Sequence, residues 1–157
     1  SLFFLPDAPI FMKFRGWLYK PALKHVGKNF QVAHNVQIVC GDGLEIGDNV
    51  YIAYNCIFIA SKDVYIGNNV MFGPMCLVVC DNHIMENGTF RSGKCIYKPI
   101  VIEDNSWVGG HCVILPGARL PKNSILAANT NLGKALDNAR CIYGGGTMAK
   151  YIKKIDD

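Results

Sequence analysis

Leu44–Val79 reads LEIGDNVYIAYNCIFIASKDVYIGNNVMFGPMCLVV. Ile46, Ile52 and Phe58 stand six residues apart, and after a slip of two residues Ile66, Phe72 and Val78 repeat the spacing. The period is neither that of a plain strand nor that of a helix. A short fixed repeat marks a solenoid. Four residues after the anchors come the small Val50, Cys56, Val70 and Cys76, and Asn49, Asn55 and Asn69 stand just before three of these. The anchors point inward, the small residues fit tight corners, and Asn tolerates the left-handed backbone of a sharp turn.

The pattern extends both ways, through Val26, Val32 and Ile38 before this stretch and Ile102, Val108, Ile114, Leu120, Leu126 and Leu132 after it. That makes fifteen hexads, or five triangular coils of three hexads each, stacked to roughly 24 Å at strand spacing. Asn29, Asn35, Asn105, Asn123, Asn129 and Gly117 fill the same turn slot. The period slips by two residues before Ile46 and before Ile66, and by eighteen before Ile102. Each break follows a third hexad, so all three insertions leave the prism at one corner. The longest, Val79–Val101, reads VCDNHIMENGTFRSGKCIYKPIV and carries His83, the one histidine outside the repeats. Loops on rigid scaffolds are where catalytic residues concentrate.

Two outward columns are largely apolar: Gln31, Tyr51, Met71, Trp107, Ile125, and Gln37, Ile57, Leu77, Val113, Asn131. Exposed apolar columns imply a partner, and a threefold homo-oligomer covers flat prism faces naturally. The expected organisation is an N-terminal cap over 1–25, repeats over 26–134 with 79–101 inserted, and a tail over 135–157. In the cap, a short amphipathic helix with Phe11, Phe14, Leu18 and Trp17 on one side covers the open end. A second reading is a peripheral membrane anchor using Lys13, Arg15 and Lys20. The tail is expected to end in a short helix with Lys150, Lys153 and Lys154.

With 50% hydrophobic and 18% charged residues over 157 positions, one globular domain with a real core is expected. The net charge of +4 fits an anionic ligand or a membrane surface. No nucleic-acid motif accompanies it, so no such partner is expected. Seven cysteines without a C-x-x-C pair suggest reduced thiols and a cytoplasmic setting. Cys56, Cys76 and Cys112 occupy inward slots and read as inert core. Cys40, Cys80, Cys95 and Cys141 fall outside those slots, in no zinc-like spacing. No apolar run is long enough to span a membrane, and no signal peptide is apparent.

The hexads, the His83 loop and the segment DNSWVGGHCVILPG together resemble the hexapeptide-repeat acetyltransferases, over about Val26 to Lys154. The likeness is to the galactoside, maltose and polysaccharide O-acetyltransferases. It implies an all-β, left-handed parallel β-helix, a homotrimer, acetyl-CoA as donor and a carbohydrate acceptor. His83, sixteen residues after Gly67, matches the family's catalytic histidine. Trp107 matches a tryptophan beside the active site, with Gly109 following it, and Gly110 stands at an oxyanion position where the galactoside enzymes carry serine. Ala127, Ala128, Gly133 and Lys134, within AANTNLGK, match a stretch whose amides and lysine meet CoA. GGTMAKYIKK resembles the family's ending and places Lys150 near the nucleotide. Asp81, Asn82 and Glu86 are acceptor-side candidates, and Asp81 or Glu86 is a candidate to orient His83. Ala53 and Ser61 stand where the galactoside enzymes hold sugar with polar groups, and no counterpart of those enzymes' N-terminal helical segment is expected from the resemblance. Both differences bear on the acceptor rather than on acetyl transfer.

The resemblance implies an O-acetyltransferase for a sugar or surface-glycan precursor. A non-sugar acceptor such as an amino acid or antibiotic is the nearest alternative, and a structural hexapeptide protein a further one. A carbonic-anhydrase-type enzyme would need three histidines converging on zinc. His25, His34 and His111 sit on outward repeat positions instead, and no metal is expected.

Overall fold

The computed structural model describes residues 5–146 and 150–154. Its strands stack in parallel into the three faces of a β-solenoid. The first face is built from His25–Val26, Leu44–Ile46, Val64–Ile66, Ile100–Ile102 and Arg119–Leu120. The second holds Gln31–Val32, Tyr51–Ile52, Met71–Phe72, Trp107–Val108 and Ile125–Leu126, and the third Gln37–Val39, Ile57–Ile59, Leu77–Val79, Val113–Ile114 and Asn131–Leu132. Equal positions of successive coils are paired, so Trp107 lies between Met71 and Ile125, and Leu77 between Ile57 and Val113. The anchors from Ile46 to Leu132 are fully buried, with Phe58 and Phe72 edge to face at 5.2 Å. Each such side chain contributes about 1.5–3 kcal/mol through burial.

The turns account for the asparagines. All eight expected turn asparagines have φ between 54° and 59°. Their side chains also form ladders: Asn29 donates to Asn49, Asn49 to Asn69 and Asn69 to Asn105 at 2.9–3.1 Å. At the next corner Asn35 donates to Asn55 at 2.7 Å, and there the ladder meets Met75. Met75 keeps the left-handed backbone, at φ 60°, without a side chain that favours it. Met75→Asn is therefore expected to stabilise the fold by about 1 kcal/mol, raising Tm by about 2–4 °C. Thermal unfolding of the variant checks this, and a lowered Tm counts against the ladder's contribution.

The solenoid continues beyond Leu132. Ala135 bridges to Arg119 on the first face, and Cys141–Gly144 joins the second face, pairing Ile142 with Ile125 and Tyr143 with Leu126. This partial sixth coil escaped the repeat count because Tyr143 follows Leu126 by 17 residues, 143 minus 126, instead of 18. Cys141 and Tyr143 are buried in it, and Cys80 is buried at the base of the long insertion.

Among the described residues the expected C-terminal helix does not form. Lys150–Lys154 is a strand, antiparallel to Cys141–Gly144. The sixth coil ends the second face with unpaired backbone groups, and an added strand satisfies them where a helix would not. Gly145 and Gly146, at φ 109° and 100°, open the turn. Residues 147–149 of the family-like ending lie outside the described residues.

At the other end, α1 (Pro9–Tyr19) covers the first coil, but through a different face from the expected one. Met12, Arg15 and Gly16 are buried, whereas Ile10, Phe14, Trp17 and Leu18 are exposed. Gly16 sets this choice: a Cβ there would lie 2.2 Å from the Phe30 carbonyl oxygen, so only glycine permits the approach. Arg15, expected at a membrane surface, instead points inward. It pairs with Asp7 at 2.8 Å and donates to the backbone oxygens of Val32 and Leu5. Tyr19 closes the contact through a 2.8 Å hydrogen bond to the Val36 carbonyl.

Candidate active site

The three insertions leave the prism where the third face returns to the first. The longest folds into an antiparallel hairpin, Asp81–His83 against Cys95–Tyr97. Buried Cys80 ties its base, accepting from the Lys98 N–H at 3.1 Å. Further out, the Ile84 N–H donates to Lys94 O at 3.1 Å, and the Thr89 hydroxyl accepts from the Arg91 N–H. The insertion is thus a braced arm that holds its side chains in place.

His83 is exposed on this arm, directly opposite Cys95. Its Nδ1 lies 3.6 Å from Cys95 Sγ. Among the described residues nothing engages its Nε2. Of the two carboxylates expected near His83, the structure brings Asp81 to it and ties Glu86 to Lys94 in an ion pair. Burial, then a hydrogen bond to Asp81, push the Cys95 thiol above its ordinary value. Asn82 alternates to the other side of the same strand, exposed. The sequence offered no signal for Cys95, because its closeness to His83 depends on hairpin register.

Trp107, 44% exposed, and Gly110 lie on the second face and its corner, across the prism from the corner that sends out the hairpin. Gly109 is buried where coils approach closely: a Cβ there would lie 2.5 Å from the Ala128 amide nitrogen. The Gly109 N–H donates to Leu126 O and the His111 N–H to Pro74 O, while no described acceptor takes the Gly110 N–H between them. Ala127 donates its N–H to Tyr143 O of the sixth coil, and Ala128 is exposed. His111 takes the left-handed turn slot at φ 57°, and His34 pairs with Asp7 at 2.6 Å, so neither converges on His83.

Lys134 and Lys150, 16 residues apart by subtraction, come together in one open groove of about 340 Å³. Ala135, Asp137, Tyr143 and Tyr151 also line it. Both lysines are exposed, and Gly133 leads into the groove from the fifth coil. The C-terminal strand creates this juxtaposition, since it returns Lys150 along the sixth coil. The thiols Cys56, Cys76 and Cys112 take no part. They donate to the carbonyls of Gly73, Gly109 and Ala127 on the following coils, all within the core.

No protein-family model matches the chain. It is 35% identical over 60 residues to a galactoside O-acetyltransferase of Lactococcus lactis, covering 38% of this chain and 28% of that protein. It is 29% identical over 75 residues to the Escherichia coli galactoside O-acetyltransferase, covering 48% of this chain and 36% of the relative. The matches therefore span about a third of these curated relatives. A hexapeptide-repeat acetyltransferase of Vibrio cholerae, solved with acetyl-coenzyme A, superposes with a TM-score of 0.83 at 28% identity, over 92% of this chain and 78% of that one. A galactoside acetyltransferase in complex with coenzyme A superposes with a TM-score of 0.82 at 27% identity, over 96% and 74%.

Proposed function

From a chain that is a relative of the hexapeptide-repeat O-acetyltransferases, we infer an enzyme that moves an acetyl group from acetyl-CoA to a hydroxyl of a carbohydrate acceptor. The observation that carries this reading is the braced hairpin that presents His83 with Nε2 unengaged. The acceptor hydroxyl gives its proton to Nε2 as its oxygen attacks the thioester carbon. The tetrahedral oxyanion takes the Gly110 N–H, as preorganised donors do in acyl transfer. Collapse expels the CoA thiolate, which recovers the proton from His83. Trp107 walls the pantetheine path, and Gly109, Ala127, Ala128 and Gly133 line the CoA track toward Lys134 and Lys150. Asp81 and Asn82 face the acceptor; Glu86 braces the arm through Lys94. A cytoplasmic setting with a surface-glycan precursor as acceptor completes the reading.

Incubation with acetyl-CoA and a panel of sugars and glycan fragments, followed by mass spectrometry, tests it. Acetylated sugar is the expected product. Robust acetylation of serine or chloramphenicol with no sugar modified would replace the acceptor class, and no CoA release with any acceptor would sink the enzyme.

The site is proposed to assemble between subunits of a homotrimer. In one chain the hairpin and Trp107 lie on opposite sides of the prism, and Met71 and Trp107 remain 42% and 44% exposed. Sedimentation velocity is expected to give a trimer at micromolar concentration. A fully active monomer would overturn the shared site.

Contact of α1 with an anionic membrane is proposed as well. Ile10 and Trp17 are 72% and 61% exposed, Phe14 stacks on Trp17 at 6.0 Å, and Lys13 and Lys20 flank them. Such a face lies in the headgroup boundary. No helix among the described residues is long and apolar enough to cross a membrane. Cosedimentation with phosphatidylglycerol vesicles is expected, and is expected to fall when Trp17 and Phe14 are replaced by Ala. Equal recovery with neutral vesicles, or no recovery, would remove the charged-surface role.

A further inference from the structure

The hairpin gathers three donor groups whose combination acetyl transfer does not require. His83 and Cys95 are cross-strand partners, and Asp81 precedes His83 by two residues on the same side of its strand. The His83 Nδ1, the Cys95 Sγ and an Asp81 carboxylate oxygen all lie within 4.8 Å of one another, the one such group among the described residues. We propose that Asp81, His83 and Cys95 bind a zinc ion, and that its binding withdraws His83 from catalysis.

The donor set suits a borderline-soft cation. Zinc takes thiolate at about 2.3 Å, imidazole at about 2.0–2.1 Å and carboxylate at about 2.0–2.2 Å. Two such Zn–S and Zn–N bonds at a tetrahedral angle span about 3.6 Å. That is the separation of Nδ1 and Sγ, 3.6 Å, set here by strand register. The Asp81 carboxylate supplies a third ligand after a small rotation, and the exposed side of the hairpin leaves the fourth position to water. Magnesium and calcium prefer oxygen ligands and are poorly served by this set. The consequence for His83 follows from imidazole chemistry. When Nδ1 gives its lone pair to a metal, the ring hydrogen resides on Nε2. Nε2 then donates and cannot accept the acceptor's proton. The inhibitory half rests on His83 being the general base; the binding half does not.

Cobalt(II), a spectroscopic substitute for zinc, tests binding without acetyl-CoA. One equivalent per chain is expected to give a near-ultraviolet thiolate-to-cobalt band with tetrahedral visible bands, displaced by zinc. Cys95→Ala and His83→Ala, each folded by circular dichroism, are expected to lose the thiolate band and the tight binding respectively. Cys40→Ala, which removes the exposed thiol outside the hairpin, is expected to keep both. No band in the native chain, or a band that survives Cys95→Ala or disappears with Cys40→Ala, would overturn the site. In the activity arm, zinc is expected to suppress acetyl transfer, EDTA to restore it, and Cys95→Ala to hold its own metal-free rate at the same zinc concentration. Unchanged or increased wild-type activity at saturating zinc would overturn the inhibitory half. A cobalt spectrum in a chain that acetylates nothing would refute the acetyltransferase reading and leave the metal site standing.

Discussion

His83→Ala is expected to lower kcat by about 10²–10⁴-fold, the range a positioned general base supplies. The acetyl-CoA KM is expected to stay nearly constant, because the expected CoA track lies on the coils and the C-terminal groove, away from the hairpin. Assembly should be unchanged as well. His83 is exposed at the end of its strand and anchors no packing, so its removal opens no cavity. The hairpin keeps its backbone bonds, including Lys98 N–H to Cys80 O. Steady-state kinetics with the true acceptor, alongside sedimentation, measures all three quantities. A variant that retains more than about a tenth of wild-type kcat lies below the range of a positioned base, and His83 would lose that role.

Replacing both Lys134 and Lys150 by Ala is expected to raise the acetyl-CoA KM roughly tenfold or more, with kcat changed far less. A hydrogen bond to a charged group is worth about 1.5–3 kcal/mol, and every 1.4 kcal/mol is about tenfold in affinity. Both lysines line an open groove, so water and salt screen them and the effect sits at the low end. Asp137 in the same groove opposes phosphate, which makes the two lysines the more necessary there. The loss should shrink as salt rises, since screening already weakens the wild-type contact. An unchanged KM at low salt would move the phosphates away from this groove. A fall in kcat of the same size as the KM effect would instead indicate a role in positioning the thioester.

The repeat was legible because each of its parts has a local cause. An aliphatic residue every six positions has one place to go, and Asn49 or Asn69 adopts its left-handed turn through properties of its own side chain and backbone. The paired columns Trp107–Ile125 and Leu77–Val113 follow from counting, because parallel coils align equal positions. His83 was legible as a candidate because it falls where packing makes no demand. Lys134 and Lys150 could be named singly from family-like stretches at the end of the chain.

Long-range contacts decided the remainder. Lys150–Lys154, expected within a short helix, is instead recruited as a strand by the open edge of the second face, because pairing satisfies that edge's unpaired backbone groups. That recruitment alone brings Lys150 to Lys134. The face α1 buries was settled by how closely Gly16 approaches the Phe30 carbonyl and by the oxygens awaiting Arg15, neither visible from helical spacing. The choice of Asp81 over Glu86 as the carboxylate at His83, and the presence of Cys95 there, came from hairpin register, which turn geometry sets. Sequence by itself determined the scaffold, whose order is local and periodic. Tertiary structure decided which side chains meet on it, because those meetings depend on edges, turns and approaches between segments far apart in the chain.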